Sequence, residues 1–418
     1  MAPGGFEIHH SEDETVLLLR VLMPPWEEFQ AKNPRFSNID PLAVKNLVAA
    51  FRPGIPCHVA ERFHSGADNV AFKVAFNDGK EWIIRVSGKR TDRSAAYVRA
   101  KIESAVATMR CVKASTTFPV PTVFGYEAQK SLPGLGEGYI AMELIPGCLI
   151  DDLDEELPDE EKSQIFHHLA DITNQLWKLR FEMIGPIYQD KDGLFYPGPF
   201  VDELGNFFGP FSKTTEFFKH KLIEIHRVYD EYVRNPELCP AERTRCETLC
   251  ALFDELAPEL YDYDHGSFPL AHDDLGTHNV LFVRDPKGDW QVSGVIDWDY
   301  AHASAWEEFG QFPACLEIDW PLFEAGEYNA TVIEDIRREE EMFVKGIRKC
   351  EDVARRQIDQ FLLSEIIDSP AVRVAEFILR YWQPEKEVSS SVLLKYVRAW
   401  RPNWTALNGQ YDPELFST

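Results

Sequence analysis

The chain has 418 residues, of which 44% are hydrophobic and 27% charged, and this balance excludes a disordered, collagen-like or coiled-coil protein. Its 69 acidic and 43 basic residues give a formal charge of −26, which argues against nucleic-acid binding because phosphate backbones are repelled. No apolar run approaches the roughly 18 residues that span a membrane, so we expect no membrane association and a cytoplasmic location.

The first half of the chain has the pattern of a small sheet. Alternating apolar residues over about 55–86 predict strands, and the turn-rich sequences HSGADN and NDGK separate them. The Asp78-Gly79 pair between VAFKVAF and EWIIRV predicts a β-hairpin. Over 94–113 the apolar residues recur at helical spacing, and FPVPTVFGY then returns to extended chain. We therefore expect an antiparallel sheet with one inserted helix.

The second half is predicted to be mostly helical. GYIAMELIPG over 138–147 ends in a Pro-Gly pair that indicates a hinge. Helical patterns follow from Asp159 onwards and again over about 333–400, interrupted by two short apolar runs within 270–301. We divide the chain into an N-terminal extension (1–54), a sheet-containing N-lobe (55–147) and a helical C-lobe (148–418).

The strongest chemical signal is the sequence HDDLGTHN over 272–279, which is followed eighteen residues later by Asp297 in GVIDWD. Phosphoryl transfer needs a carboxylate that orients the attacking hydroxyl and accepts its proton, and metal ligands that hold Mg²⁺ against the phosphates. A carboxylate with an amide five residues later, and an Asp after the next strand, fit these roles.

These motifs resemble those of the aminoglycoside phosphotransferase and choline kinase-like family, in particular its fungal-type members. The family loop reads His-x-Asp with Asn five residues after the Asp, followed by Ile-Asp-Trp on the next strand. The resemblance implies an α+β, two-lobed protein-kinase-like fold with a small antiparallel N-lobe sheet. It also implies Asp274 as catalytic base, Asn279 and Asp297 as magnesium ligands, and His272 as a buried residue that braces the loop.

The resemblance extends to the nucleotide site in the N-lobe. HSGADN is similar to the family's nucleotide-positioning loop, where backbone amides near Gly66 and Asn69 face phosphates, although a plain turn between strands has the same composition. Arg85 lies where kinases carry a cation for the α- and β-phosphates, and Lys73 on the preceding strand is the alternative. The backbone from Glu143 to Ile145 corresponds to the adenine-binding hinge, or alternatively to a plain strand end.

One departure from the family concerns the partner of that cation. The family helix commonly reads Ser-Glu-Val-Ala-Thr-Met, whereas this chain carries Ala105 in place of the Glu. Glu103 is the nearest carboxylate, but two residues along a helix rotate the side chain by about 200°. The substitution raises the alternative of a kinase fold with altered catalysis.

Four features keep two interpretations each. One interpretation of Asp273 is that it is exposed or hydrogen-bonded within the loop, and the other is that it shares a proton with Asp274. His278 is either a packing residue or a proton carrier. The aromatic segment over 184–200 either shapes the acceptor site or packs in the core. The acidic residues Asp151, Asp152 and Asp154 either attract a cationic acceptor or are simply solvated.

The sequence thus predicts a kinase that uses ATP, or alternatively GTP, and Mg²⁺ to phosphorylate a hydroxyl of a small metabolite, with amine-bearing compounds among the options. The alternative is a kinase-fold protein that binds a nucleotide or metabolite without phosphoryl transfer. A protein kinase is ranked last, because the sequence lacks Asp-Phe-Gly and the Ala-Pro-Glu that bounds an activation segment. The oligomeric state is not predicted.

Overall fold

The computed structural model describes residues 24–153, 156–257, 260, 267–316, 330–351, 362–380 and 397. Of the sequence-based expectations, those for Asp154, for residues 1–23 and for most of the tail beyond 380 lie outside the described residues. The described residues form a sheet-containing lobe followed by a mostly helical lobe, which confirms the predicted α+β, two-lobed fold.

The N-lobe is a five-stranded antiparallel sheet in the order β1-β2-β3-β5-β4. Its strands are β1 (Cys57–Ser65), β2 (Asn69–Phe76), β3 (Glu81–Ser87), β4 (Val123–Glu127) and β5 (Gly138–Glu143). The predicted β2–β3 hairpin is present: Gly79 has φ +81° in the turn, a conformation that glycine adopts without steric cost.

The predicted inserted helix is α3 (Ala95–Ser115), which lies between β3 and β4 in the chain. It begins at Ser94, whose hydroxyl accepts a hydrogen bond from Tyr97 N at 3.1 Å and so caps the helix. Its apolar residues join the core of the C-lobe, as Ile102, Val106 and Met109 are all buried there. The helix therefore ties the sheet to the second lobe.

Two further helices cover the outer face of the sheet. They are α1 (Trp26–Lys32) and α2 (Pro41–Phe51). Phe29 from α1, Val44 and Val48 from α2, and Phe36 between them pack into one buried cluster with the outward-facing strand residues. Because this face is covered, the opposite face of the sheet is the one that can receive a nucleotide.

The chain enters the C-lobe through Pro146 and Gly147. Gly147 has φ +143°, and a Cβ at this position would lie 2.9 Å from the carbonyl oxygen of Phe282. The following strand β6 (Cys148–Leu149) pairs with a strand of the C-lobe, β13 (Val280–Arg284). The hinge thus docks directly onto the strand that follows the HDDLGTHN sequence.

The C-lobe helices are α4 (Asp159–Lys178), α5 (Thr214–Val233), α6 (Pro240–Leu256), α7 (Trp306–Phe309), α8 (Ala330–Cys350), α9 (Leu363–Ile367) and α10 (Pro370–Arg380). The short strands are β7 (Arg180–Phe181), β8 (Gly185–Gln189), β9 (Phe195–Pro197), β10 (Phe200–Val201), β11 (Phe207–Phe208), β12 (Phe268–Ala271), β13 (Val280–Arg284), β14 (Trp290–Val295) and β15 (His302–Ala303). Among the described helices, none is long and apolar enough to cross a membrane.

Candidate active site

The catalytic loop begins where β12 ends. His272 is buried, its Nε2 donates a hydrogen bond to the carbonyl oxygen of Ile296 at 3.0 Å, and its ring lies 4.5 Å from the ring of Trp298. Burial lowers the pKa of His272 to about 4, so this imidazole is neutral at physiological pH. The residue joins the loop to the end of β14 and acts as a brace rather than as a proton carrier.

Asp274 lies in this loop with half of its side chain exposed to the cleft. Its Oδ1 is 3.1 Å from Nε2 of His278, and its Oδ2 accepts a hydrogen bond from Nδ2 of Asn279 at 2.9 Å. Burial alone would raise the pKa of this carboxyl, but the contacts with His278 and Asn279 lower it below its usual value. Asp274 is therefore an oriented, ionised carboxylate.

The predicted metal ligands lie side by side across a hairpin. Asn279 precedes β13, Asp297 follows β14, and the amide of Ile296 donates to the carbonyl oxygen of Asn279 at 2.9 Å. The Nδ2 atom of Asn279 is used within the loop, because it donates both to Oδ2 and, at 2.8 Å, to the backbone oxygen of Asp274. Its amide oxygen is the atom suited to a metal.

Asp297 has the features of a carboxylate placed for a cation. It adopts the left-handed conformation, with φ +60°, and its side chain remains 51% exposed. Burial of part of the group and the nearby carboxylate of Asp299 raise its pKa, which means that its negative charge is not fully compensated. Among the described residues no group of three or more His, Cys, Asp or Glu could hold a metal ion.

Arg85 on β3 reaches into the same cleft. Its Nη2 lies 2.5 Å from Oδ1 of Asp299, and its Nη1 lies 3.3 Å from Oδ1 of Asp297. The alternative cation, Lys73, pairs with Glu81 at 2.8 Å within the sheet and takes no part in this cluster. Arg85 is thus the N-lobe cation that meets the metal-binding carboxylate.

The inserted helix supplies no carboxylate to Arg85. Ala105 is fully buried, and Glu103 pairs with Arg99 one turn earlier on the same helix at 3.0 Å. The helix instead presents Lys101, whose Nζ lies 3.3 Å from Oδ2 of Asp299. Asp299 was not predicted from the sequence as a partner of Arg85. The signal that could have indicated it is the second carboxylate of Ile-Asp-Trp-Asp.

The turn between β1 and β2 is drawn towards the same charges. The amide of Gly66 donates to the carbonyl oxygen of Asn69 at 2.9 Å, which closes the turn. The Asn69 side chain donates to Asp299 at 3.2 Å and accepts from the hydroxyl of Ser87 at 2.8 Å. Of the two predicted phosphate-facing residues, Asn69 therefore points into the cleft with its side chain, and the Gly66 N–H is used inside the turn.

A cluster of cations surrounds Asp68 in that turn. Its carboxylate contacts Arg93, Lys101 at 3.0 Å and Arg90 at 3.5 Å. Burial would raise the pKa of Asp68, but these cations lower it. The turn is thus fastened to the start of α3 by ion pairs, and this was not predicted from the sequence.

At the hinge, the amide of Glu143 donates to the carbonyl oxygen of Thr122 at 2.9 Å, and its carboxylate accepts from the Thr122 hydroxyl at 2.6 Å. Ile145 is buried, and its side chain packs closely over Gly294 of β14. The polar groups of Glu143 are therefore engaged with the start of β4, while Ile145 forms part of the cleft floor.

Asp273 precedes the catalytic carboxylate and is exposed with φ +67°. The loop is therefore not extended at this position. His302 on β15 lies close enough to interact with it electrostatically and forms a buried ion pair with Glu308, with Nε2 and Oε2 2.9 Å apart. Both residues of this pair line the same cavity as Asp273.

A cavity of about 190 Å³ lies between α3 and the C-lobe. The predicted aromatic segment contributes Tyr188 and Phe200 to its wall, and Asp273, Asp299 and Tyr300 line the side of the catalytic and metal loops. The segment therefore packs against α3 and borders an open space beside the loop.

The sequence model of the phosphotransferase enzyme family matches residues 59–310. The chain belongs to this family. The assignment confirms the family resemblance that was inferred from the motifs.

Curated relatives are similar over shorter stretches. A subtelomeric hrmA-associated cluster protein of Aspergillus fumigatus is 29% identical over 136 residues, which are 32% of this chain and 26% of that protein. Altered inheritance of mitochondria protein 9, mitochondrial, of Candida tropicalis is 29% identical over 200 residues, 43% of this chain and 32% of that protein. The chain thus spans about a quarter to a third of the length of these relatives.

Solved structures are similar at low identity. The macrolide 2'-phosphotransferase of Brachybacterium faecium is 14% identical with a TM-score of 0.38, covering 87% of this chain and 99% of that one. The GDP complex of aminoglycoside 2'-phosphotransferase-IIIa is 13% identical with a TM-score of 0.43, covering 85% and 97%. Scores at this level are no basis for assigning a substrate or a nucleotide to this chain.

Proposed function

We propose that this family member transfers the γ-phosphate of ATP, or alternatively of GTP, to a hydroxyl of a small molecule with the help of Mg²⁺. The observation that carries the proposal is the arrangement of Asp274, Asn279 and Asp297. Asp274 is an ionised carboxylate beside the side-chain amide of Asn279, and the negative charge of Asp297 is not fully compensated by the protein. Asp274 is the proposed catalytic base, and the other two residues are the proposed metal ligands.

In this proposal Asp274 orients the acceptor hydroxyl and accepts its proton as the bond to phosphorus forms. The hydrogen bond from Asn279 fixes one carboxylate oxygen, which leaves the half-exposed side chain aligned towards the cleft. A positioned base typically contributes about 10²–10⁴-fold to the rate. His278 holds the other oxygen, so we interpret it as a positioning residue rather than as the proton carrier.

The residues present fit magnesium. Mg²⁺ prefers oxygen ligands and usually retains water while binding one or two carboxylates together with phosphates. Asn279 and Asp297 would hold it, and it would bridge and neutralise phosphate oxygens of the nucleotide. The raised pKa of Asp297 supports this role, because a cation would compensate the charge that the protein leaves unbalanced.

The nucleotide is proposed to bind between the lobes, with its phosphates near Arg85. A guanidinium group can bind two phosphate oxygens at once through two of its N–H groups. The side chain of Arg85 already lies in the cleft beside Asp297, the proposed metal ligand. We place the adenine or guanine edge at the backbone of Glu143 to Ile145. Gly66 and Asn69 remain proposed phosphate-side residues at the turn that closes over this space.

We place the acceptor in the cavity beside Asp273. Its volume is about 190 Å³, and Tyr188 and Phe200 contribute to its wall. Its aromatic wall suits the face of a ring. Asp273, the neighbour of Asp274 in the chain, lines this cavity, which supports the assignment of the 184–200 segment to the acceptor site.

The proposal is tested by magnesium-dependent consumption of ATP and GTP against a panel of monocyclic sugars, polyols, amino alcohols and aminoglycosides. The informative variant is Asp274→Asn, and the matched control is Asp254→Asn. Asp254 also pairs with a histidine, His226, at 2.8 Å, but on the exposed surface of α6. We expect one acceptor to stimulate consumption, Asp274→Asn to reduce it by at least about 100-fold, and Asp254→Asn to leave it unchanged.

The alternative, binding without transfer, was suggested by the missing helix carboxylate at Ala105. Arg85 is nevertheless held by a carboxylate, that of Asp299, so this reason for doubting catalysis is weakened. Nucleotide binding with no acceptor-stimulated turnover across the panel would favour the alternative. Failure to bind either nucleotide would contradict both functions. The cytoplasmic location stays a prediction.

A further inference from the structure

Protein kinases hold their phosphate-binding cation with a carboxylate from the inserted helix, so that both partners belong to the N-lobe. In this chain the described helix α3 offers Arg85 no such carboxylate. Ala105 has no polar group, and the side chain of Glu103 is paired with Arg99 on the exposed side of the helix. A guanidinium in the cleft without a fixed partner would sample many orientations, so the question is what holds it.

Asp299 has the geometry of the missing anchor. Its side chain is only 4% exposed, and its Oδ1 lies 2.5 Å from Nη2 of Arg85. Its second oxygen lies 3.3 Å from Nζ of Lys101 on α3 and accepts a hydrogen bond from Asn69 on β2 at 3.2 Å. One buried carboxylate thus contacts β2, β3 and α3 at the same time.

We propose that Asp299 is the positioning residue for Arg85, taking the place of the helix carboxylate and holding the guanidinium towards the phosphates of the bound nucleotide. The inference rests on the proposed nucleotide site. It adds to that site a residue to which the family motif gave no role here, and it explains how a chain with Ala105 can keep an ordered phosphate-binding cation.

The relocated anchor has a mechanical consequence. Asp299 belongs to the C-lobe and lies two residues after Asp297, whereas Arg85 belongs to the N-lobe sheet. The orientation of Arg85 therefore depends on the two lobes being closed. Nη1 of Arg85 also lies 3.3 Å from Asp297, so metal and arginine are set by neighbouring residues of one short segment.

Lys101 completes the arrangement from the helix side. It contacts Asp299, Asp68 at 3.0 Å and the hydroxyl of Tyr300 at 3.0 Å. The charges are thus arranged differently from the usual strand–helix pair. The helix supplies a cation, Lys101, and the C-lobe supplies the carboxylate of Asp299, which lies between Lys101 and Arg85. Removal of the carboxylate would leave Arg85 and Lys101 repelling each other across a buried space.

The test is a double-mutant cycle on nucleotide affinity, which needs no knowledge of the acceptor. Dissociation constants for Mg²⁺-ATP and Mg²⁺-GTP are measured by titration calorimetry for the wild type, Asp299→Asn, Arg85→Gln and the double variant. Asp299→Glu serves as the conservative variant. Asp78→Asn is the matched control, since Asp78 pairs with Arg52 at 2.6 Å on the same sheet but in an exposed turn.

If Asp299 acts through Arg85, each single substitution weakens nucleotide binding by at least about tenfold, and the double variant binds no more weakly than Arg85→Gln alone, within about twofold. Asp299→Glu recovers at least part of the affinity, and Asp78→Asn matches the wild type. Unchanged affinity in Asp299→Asn, or losses that multiply in the double variant, would overturn the inference.

The same proteins separate this inference from the proposed function. If the wild type binds neither nucleotide, the proposed function fails, and the cycle is then read on thermal unfolding midpoints. Shifts in the midpoint that do not add would support Asp299 as the anchor of Arg85 across the lobes, and additive shifts would overturn it.

Discussion

The buried ion pair between His302 and Glu308 leads to a quantitative prediction about the free energy of unfolding. His302 on β15 and Glu308 in α7 are almost fully buried, and Ser304 donates a further hydrogen bond to the carboxylate at 2.6 Å. His302 pairs with Ala271 in the β12–β15 ladder, immediately before the catalytic loop begins. The pair therefore secures the strand that carries the loop.

The two partners shift each other's protonation in opposite directions. Burial would lower the pKa of His302, but the carboxylate of Glu308 outweighs it and raises the pKa to about 9. Burial would raise the pKa of Glu308, but the imidazolium and the Ser304 hydroxyl lower it to about 2. Both groups are therefore charged over a wide pH range in the folded protein.

The pH window follows from these directions. The folded pKa of His302 lies above its ordinary value of 6.5, so its contribution to stability is complete below pH 6.5 and is lost as the pH rises through 9. The contribution of Glu308 is present above pH 4.5 and is lost as the pH falls through 2. At about 1.4 kcal/mol per pKa unit, the histidine shift corresponds to at most about 3 kcal/mol of unfolding free energy.

The assay is urea unfolding under reducing conditions at pH 6.5 and pH 10, followed by tryptophan fluorescence. Other groups, including the free cysteines, also titrate in this interval, so the quantity of interest is the difference between proteins. We expect the wild type to lose up to about 3 kcal/mol more than Glu308→Gln, in which His302 has no ion-pair partner. Asp254→Asn, the exposed histidine–aspartate control, should behave as the wild type.

Equal pH dependence in the wild type and Glu308→Gln would refute the reasoning. It would mean that His302 does not carry its proton in the folded protein near neutral pH, and that the contact is a neutral hydrogen bond. A smaller loss in Asp254→Asn than in the wild type would instead show that exposed pairs account for the effect.

Three further predictions concern the catalytic loop. The contact of His278 with Asp274 raises the pKa of His278. As the pH rises through that pKa, the imidazolium loses its proton and no longer stabilises the carboxylate, so the turnover rate should rise. A pH–rate profile of His278→Gln should lack this rise. Asn279→Ala should raise the Mg²⁺ concentration for half-maximal turnover by about 10-fold or more, with the nucleotide saturating, because one of two proposed ligands is lost. Trp298→Ala should lower the free energy of unfolding by about 3–5 kcal/mol in urea titrations, because this fully buried indole packs against His272.

The loop over 272–279 could be recognised in the sequence because the residues of its motif are close together in the chain, and the roles assigned to them stay predictions. Asp274 and Asn279 are five residues apart, and their side chains meet within one turn of loop. Asp297 is eighteen residues further on, but the hairpin of β13 and β14 returns the chain beside the loop. Local patterns of apolar residues and turns likewise sufficed for the five-stranded sheet and the inserted helix.

Contacts between distant segments could not be predicted in the same way. Arg85 and Asp299 are separated by 214 positions, and although Asp299 is the second carboxylate of Ile-Asp-Trp-Asp, nothing near it in the chain specifies Arg85 as its partner. On the helix, Glu103 was the nearest candidate partner for Arg85, but this residue pairs with Arg99 instead. The conformation of Asp273 was similarly out of reach, because its φ of +67° depends on how the loop packs.

The tryptophan between the two aspartates explains how one short segment can serve both lobes. Trp298 is buried, stacks parallel to Phe118 and donates its Nε1–H to the carbonyl oxygen of Val295 at 3.0 Å. This side chain is fixed in the core, and the carboxylates on either side of it both contact Arg85 of the N-lobe. Asp297 remains partly exposed at the proposed metal site and Asp299 is buried against Arg85, so a single buried ring sets the positions of the proposed metal ligand and of the proposed arginine anchor together.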